Sequence, residues 1–275
     1  MTAQLRDLGC LWIGKSLSPI EQISALSFLK QGHRLFLYAY EDVKGVPPGV
    51  IVRDAREVLP GDEIVKHRKT GSPALHSDIF RYALIAQKQQ IWVDLDLIAI
   101  SPIRDSEGYV FGYETKEEVN GAVLFLPSHS KTLQDLLKFD KDTVGYPPHL
   151  SKFRRFRYFL KSKGRGLGIA DWPWGSIVPR GLTHYLVKNN EIKYAQPINA
   201  FYSIPLKDVR RFVDSSDISL NKISSEVVAI HLWGSHLHRV IKNNCNGIIP
   251  PKSFLHEVVE DLSQWASFEI DLRIK

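Results

Sequence analysis

Asp94 and Asp96 are separated by a single residue in IWVDLDLIAI (91–100), where a run that reads as a buried strand would otherwise stay apolar. Along a regular strand alternate side chains share a face, so Trp92, Asp94 and Asp96 are expected on one side and Val93 and Leu95 on the other. Two carboxylates this close repel each other, and one of them takes up a proton unless a cation lies between them. Their hard oxygens suit Mg2+ or Mn2+, and a cation so held can in turn hold a diphosphate. The plainer reading is a solvated turn with two acidic residues. Against it stands the run DLDLI, which offers neither the Gly nor the Asn of a tight turn.

A pair with this role needs elements that carry it to a strand end. CLWIG (10–14) reads as a first strand. Ser18-Pro19, with Glu21 in the first turn, opens a helix that runs to about Gln31 and stops at Gly32. HRLFLYAY (33–40) and VIVRDA (50–55) read as strands. Ser72-Pro73 opens a second helix that runs to about Gln89 and leads into IWVDLDL. Its repeat puts Ile79, Phe80, Ala83 and Leu84 inward, with Asp78, Arg81 and Tyr82 on a neighbouring face. YVFGYE (109–114) and GAVLFLP (121–127) follow as strands, and SHSKTLQDLLKF (128–139) and LTHYLVKN (182–189) as helices. Short strands are expected around IKYAQP (192–197) and AFYSIP (200–205), a late one at VVAIHLWGS (227–235), and a helix with an irregular tail over 253–275. Alternating strands and helices predict an α/β layer fold with a mixed, largely parallel sheet. In such sheets ligands sit at the carboxyl ends of the strands.

The composition agrees with one large domain over 1–275: 44% of the residues are apolar and 11% aromatic. Cys10 and Cys245 are too few for a disulfide scaffold and lack zinc-ligand spacing, so free thiols in a reducing cytosol are expected. The N-terminal MTAQLRDLGCLWIG does not read as a signal peptide, and no run approaches the ~18 apolar residues of a membrane span. These features predict a cytoplasmic protein. The net charge of +6 suits an anionic partner: a nucleotide, a nucleic acid, a phospholipid surface or an acidic glycan. The charge concentrates in KFRRFRYFLKSKGR (152–165), which has seven basic residues and no acidic one, interleaved with Phe153, Phe156, Tyr158 and Phe159. An amphipathic helix here could touch an anionic membrane, bind an acidic glycan, or simply present a solvated charged face.

SPALHSDIFRYALIAQKQQIWVDLDLIAISP (72–102) resembles the sugar-binding region of the DXD glycosyltransferases related to alpha-1,4-galactosyltransferase, the yeast initiating alpha-1,6-mannosyltransferase and the catalytic core of the clostridial glucosylating toxins. Ser77-Asp78, Arg81-Tyr82 and Asp94-Leu95-Asp96 fall in the family's order. LWIG (11–14), Asn120-Gly121-Ala122, PRGLTHYL (179–186) and HLWGS (231–235) resemble its opening strand, its post-DXD segment, its later helix and its C-terminal H-x-W-x-S segment. Two departures stand out. Gln89-Gln90 replaces a pair of glycines, so a less demanding turn is expected there. WPWGSIVPRG (172–181) scrambles a glycine–proline pair on the acceptor side.

The resemblance implies a GT-A-type nucleotide-sugar-binding fold whose basic, aromatic segment at about 140–182 faces the acceptor. It implies Mn2+ or Mg2+ as cofactor and a nucleotide-sugar donor, most simply a UDP-hexose or UDP-N-acetylhexosamine. Asp96 would be a direct metal ligand, Asp94 a ligand or ribose contact, and His231 a third ligand. Asp78 would accept hydrogen bonds from the sugar, Arg81 would contact sugar or diphosphate, and Asn120 would add a sugar or acceptor contact. Trp12 would stack on the base or line its pocket, Trp233 would cover a phosphate or support the site, and Ser235 would touch phosphate. Asp171, beside two tryptophans, is a further acceptor-side candidate. The acceptor would be a glycan or lipid-linked glycan of a bacterial surface polysaccharide, with retention giving an α linkage. Two other classes compete. A D-x-D phosphatase-type hydrolase would require a Gly-Thr turn where Leu97-Ile98-Ala99 stands. A non-enzymatic protein binding single-stranded RNA would use the basic aromatic stretch but leave the aspartates unexplained.

Overall fold

The computed structural model describes residues 5–105, 107–214 and 218–274. The first four residues of the N-terminal reading and Lys275 of the tail lie outside them. In chain order the elements begin with β1 (Leu8–Trp12), α1 (Pro19–Lys30), β2 (Leu35–Ala39), β3 (Ile51–Asp54), α2 (Ala74–Lys88), β4 (Ile91–Val93), β5 (Leu97–Ala99), β6 (Val110–Tyr113) and β7 (Val119–Phe125). They continue with α3 (Lys131–Leu136), β8 (Val144–Gly145), α4 (Lys152–Lys161), β9 (Leu167–Gly168), α5 (Arg180–Lys188), α6 (Ile198–Phe201), β10 (Ala229–His231), α7 (Gly234–Asn244) and α8 (Phe254–Ala266). The result is a mixed α/β fold with a largely parallel central sheet, as the alternation of elements predicts.

The chain divides into two compact units. The first takes the residues up to Asp54, Val93–Arg104, and those from Pro197 onward. In it β1 runs parallel to β2, with Leu8 opposite Leu35 and Trp12 opposite Ala39, and β2 runs parallel to β3. The Ser18 side chain accepts from the Ile20 amide while Glu21 reaches back to the Ser18 amide, so α1 starts on a reciprocal cap. Ile20, Ile23 and Leu26 of α1 share a core with Leu255, Val258 and Leu262 of α8. Each such side chain, fully buried, contributes about 2 kcal/mol. Two buried serines of α1 have a separate task. Ser24 Oγ accepts the Leu97 amide at 3.2 Å and Ser27 Oγ the Ala99 amide at 2.9 Å, so the helix satisfies backbone donors of β5.

The second unit takes Ala55–Trp92 and Asp105–Gln196. β6 and β7 pair antiparallel, and the Val119 amide donates to Thr183 Oγ1 of α5 at 2.9 Å. Buried Glu191 accepts from Ser130 Oγ and from the Lys131 amide, which fixes the start of α3.

Three local expectations change. The segments around IKYAQP and AFYSIP are not strands. They form a 3-10 turn at Ile192–Tyr194 and the short helix α6, because Pro197 and Pro205 cannot donate to a ladder. IWVDLDL is not one regular strand: β4 stops at Val93, and β5 joins β10 in a separate two-stranded sheet. The Gln89-Gln90 turn is as demanding as a glycine turn. Gln89 takes the left-handed conformation (φ 53°, ψ 32°), and its side-chain amide donates to the Ile85 and Ala86 carbonyls at the helix end. A residue with a Cβ is strained there by about 1 kcal/mol. Gln89→Gly is therefore expected to raise the free energy of unfolding by up to about 1 kcal/mol, read as a higher urea midpoint at unchanged slope.

Candidate metal centre

The metal-ligand candidates in the first unit meet because of strand register. β5 and β10 run antiparallel with His231 opposite Leu97, one residue past Asp96. The ladder extends past the strands, since the Leu232 amide donates to the Asp96 carbonyl at 2.7 Å. The chain then reverses at Trp233, a non-glycine residue held at φ 58°, ψ 50°. That reversal aims the Gly234 amide at Asp96 Oδ2, which accepts from it at 2.7 Å. A Cβ at Gly234 would stand 2.9 Å from the Asp96 Cβ and 3.0 Å from Oδ2, so only glycine fits without displacing the carboxylate.

With Oδ2 held, Asp96 Oδ1 is buried without a hydrogen-bond partner, 3.4 Å from His231 Nε2. His231 is 6% exposed. Its other ring nitrogen, Nδ1, is also buried without a partner. One candidate ligand atom each from Asp94, Asp96 and His231 lies within 4.8 Å of the other two. Asp94 and Asp96 are half-buried. Buried polar atoms are nearly always satisfied, so an orphaned carboxylate oxygen beside a second carboxylate and an imidazole is a donor set that fits a divalent cation. The imidazole in the set favours Mn2+ over Mg2+. The field of Asp94 also reaches Cys10, whose thiol pKa is raised chiefly by burial and further by this carboxylate. Cys10 and Cys245 are both free, Cys10 buried and Cys245 half-buried.

Trp233 packs edge-on against the His231 ring at 4.4 Å between centroids, and its indole N–H donates to the Ile204 carbonyl at 2.9 Å. It therefore orients the imidazole. Ser235 is exposed in the first turn of α7, with its hydroxyl 3.3 Å from His236 Nδ1. Trp12, at the carboxyl end of β1, lines a cavity of about 710 Å3 that Lys44, Arg239, Lys242 and Arg273 also line. The Trp12 indole nitrogen is buried without a hydrogen-bond partner. No pattern in the sequence singled out these four cations, which come from a loop, a helix and the C-terminal tail. Nor did Gly234 stand out beyond its place in the HLWGS resemblance.

In the second unit Asp78 and Arg81 form an i,i+3 pair on α2 at 3.6 Å, with Arg81 5% exposed. The Arg81 guanidinium lies over the Trp92 ring, 4.9 Å from its centroid. Gly121 leaves room for that guanidinium, because a Cβ there would collide with Arg81 and stand 2.9 Å from Val178. Asn120 is committed at both ends of its amide. Nδ2 donates to Glu114 at 2.7 Å and Oδ1 accepts the Ala122 amide at 2.8 Å, so it braces β6 and β7. Asp171 is exposed and paired with Arg68 at 2.7 Å.

No family model matches the chain, and no curated protein does. Among solved structures, it is similar to the PaToxG Glycosyltransferase. The two share 11% identity and a TM-score of 0.44, over 68% of this chain and 69% of that one.

Gly234→Ala is expected to weaken Mn2+ binding at least tenfold, because the added methyl displaces Asp96. Calorimetric titration with MnCl2 checks this. Unchanged affinity would show that the Gly234–Asp96 contact does not set the site.

Proposed function

We propose that the protein is a metal-dependent, retaining glycosyltransferase of GT-A type. It moves a sugar from a nucleotide sugar, most simply a UDP-hexose or UDP-N-acetylhexosamine, to a hydroxyl of a glycan or lipid-linked glycan. The observation that carries the reading is the convergence of Asp94, Asp96 and His231 around a buried carboxylate oxygen that accepts no hydrogen bond. The order of Asp78, Arg81, Asp94-Leu95-Asp96 and His231-Leu232-Trp233 in the sequence supports it.

In this reading Asp94, Asp96 and His231 hold Mn2+, which when bound neutralises charge on a diphosphate. Gly234 and Trp233 keep the ligands in place. The cavity beside Trp12 takes the nucleoside end. It lies at the carboxyl end of β1, where α/β sheets bind ligands, and its four cations, which outnumber the carboxylates of Glu21 and Asp271 in the same lining, suit an anionic nucleotide. Asp78 accepts from sugar hydroxyls, and Arg81 stabilises negative charge on the sugar-diphosphate group. Asn120, braced by its bonds to Glu114 and the Ala122 amide, keeps a second amide hydrogen and a second lone pair with which it adds a sugar or acceptor contact. In the reaction the bond between the anomeric carbon and the diphosphate oxygen breaks, and its electron pair leaves with the nucleoside diphosphate. The acceptor oxygen bonds to that carbon with overall retention, and the hydroxyl proton is released.

A panel of UDP- and GDP-sugars, read by nucleoside diphosphate release in MnCl2, tests the proposal. At least one donor is expected to turn over or hydrolyse, and Asp96→Asn to lower that rate by about 10^3-fold. If no donor binds or reacts, the proposal fails. Single-stranded RNA binding that Asp96→Asn leaves unchanged, with no donor reacting, would favour the binding-protein alternative.

A further inference from the structure

α4 is built inside out for a helix of a folded domain. It is ten residues long, and none of them is buried. Isolated helices below about 12 residues are marginal in water, and most helices in proteins are stabilised by packing an apolar face. Here the apolar face is the exposed one. Phe153, Phe156 and Leu160, spaced i, i+3, i+7, are 70%, 57% and 59% exposed. Phe159 is 47% exposed, and its ring stacks with that of Phe156 at 6.4 Å. An adjoining row with the same spacing, Arg154, Arg157 and Lys161, lines a cavity of about 520 Å3 together with Tyr158, His149 and Arg180. The His149 imidazole is held neutral, its pKa pushed down to about 4 by burial and next by Arg180. No acidic side chain lines the cavity; Glu118 reaches Arg180 at 4.0 Å, and the row Arg154, Arg157 and Lys161 supplies the rest of its positive charge. The helix is anchored to its unit at its far end, where Tyr146 Oη and Ser162 Oγ lie 3.0 Å apart.

An apolar stripe facing water beside a cationic row, on a helix that leaves its own chain's core unused, has a complementary environment in an anionic bilayer surface. Acyl chains there take the aromatic rings and headgroup phosphates take the cations. A soluble polyanion would satisfy the cations and leave the phenylalanines in water. A second copy of this chain would bring the same uncompensated positive charge against itself. We infer that α4 is a membrane-docking helix: Phe153, Phe156, Phe159 and Leu160 enter the lipid interface, while Arg154, Arg157 and Lys161, with Arg180, take lipid phosphates at the cavity mouth. It docks the chain on the surface without spanning it, and among the described residues no helix is long and apolar enough to cross a membrane.

The test is flotation of the full chain with vesicles of phosphatidylglycerol and phosphatidylcholine, against phosphatidylcholine alone. It needs neither metal nor sugar donor, so its outcome is separate from that of the proposed enzymatic activity. The wild-type chain is expected to float at least tenfold more with the anionic vesicles, and to lose that excess as NaCl rises from about 0.1 to 0.5 M. The charge variant Arg154→Gln/Arg157→Gln/Lys161→Gln and the apolar variant Phe153→Ser/Phe156→Ser are each expected to lose at least tenfold in vesicle binding. Their Mn2+ titrations should match the wild type. Absence of vesicle binding, or equal binding to neutral vesicles, overturns the inference from wild-type data alone. So does an apolar variant that binds anionic vesicles as well as wild type, which would assign α4 to soluble anions. A concentration-dependent dimer that the apolar variant abolishes, with no vesicle binding, would assign the stripe to a second copy.

Discussion

The antiparallel register of β5 and β10 decides where His231 can stand. With His231 opposite Leu97, the histidine arrives one residue past Asp96, and the next backbone amide closes on the Asp96 carbonyl. A slip of one residue would turn His231 to the other face and remove it from the carboxylates. Further features depend on this register. Ser24 and Ser27 complete the hydrogen bonding of β5 from α1, Trp233 adopts a left-handed backbone so that the chain can turn back, and Gly234 gives up its Cβ so that Asp96 can be held by one oxygen. The serine hydrogen bonds serve the fold itself, whereas a left-handed tryptophan and a buried carboxylate oxygen that accepts no hydrogen bond are costs to it. The arrangement makes physical sense when a cation completes it.

The parts of the fold that were legible in the sequence rest on short-range chemistry. Ser18, Pro19 and Glu21 announce a helix start because the capping partners are three residues apart, and the cap forms as read. The first three strands, α2 and α8 follow from apolar runs with clear stops. The misread parts depend on distant partners. Nothing within IWVDLDL says that the chain leaves one sheet after Val93 and enters another at Leu97, because the second sheet is defined by β10, more than a hundred residues later. IKYAQP and AFYSIP carry strand-like residues, but the prolines that flank them decide the outcome. At Gln89 the sequence suggested a relaxed turn. The backbone instead keeps the left-handed geometry, and the glutamine side chain compensates by capping the helix it ends.

The candidate site shows the same division. Asp94 and Asp96 could be picked out by type and spacing, and His231 only through its resemblance to a known segment. The function of Gly234 could not be read locally, since its missing side chain matters only against Asp96 across the ladder. The cations around the Trp12 cavity are scattered along the chain and converge only when it folds. α4 was legible as amphipathic, but its orientation was not: sequence periodicity gives two faces and does not say which one meets the protein.

In the proposed function Asp94, Asp96 and His231 hold a metal that in turn holds a diphosphate. Calorimetric titration of UDP into the protein, with MnCl2 and with chelator in its place, tests it most directly when run on the wild-type chain and on Asp96→Asn. A binding isotherm is expected for the wild type with Mn2+, and none with chelator or in the variant. UDP binding of equal affinity without metal, or in Asp96→Asn with metal, would contradict it.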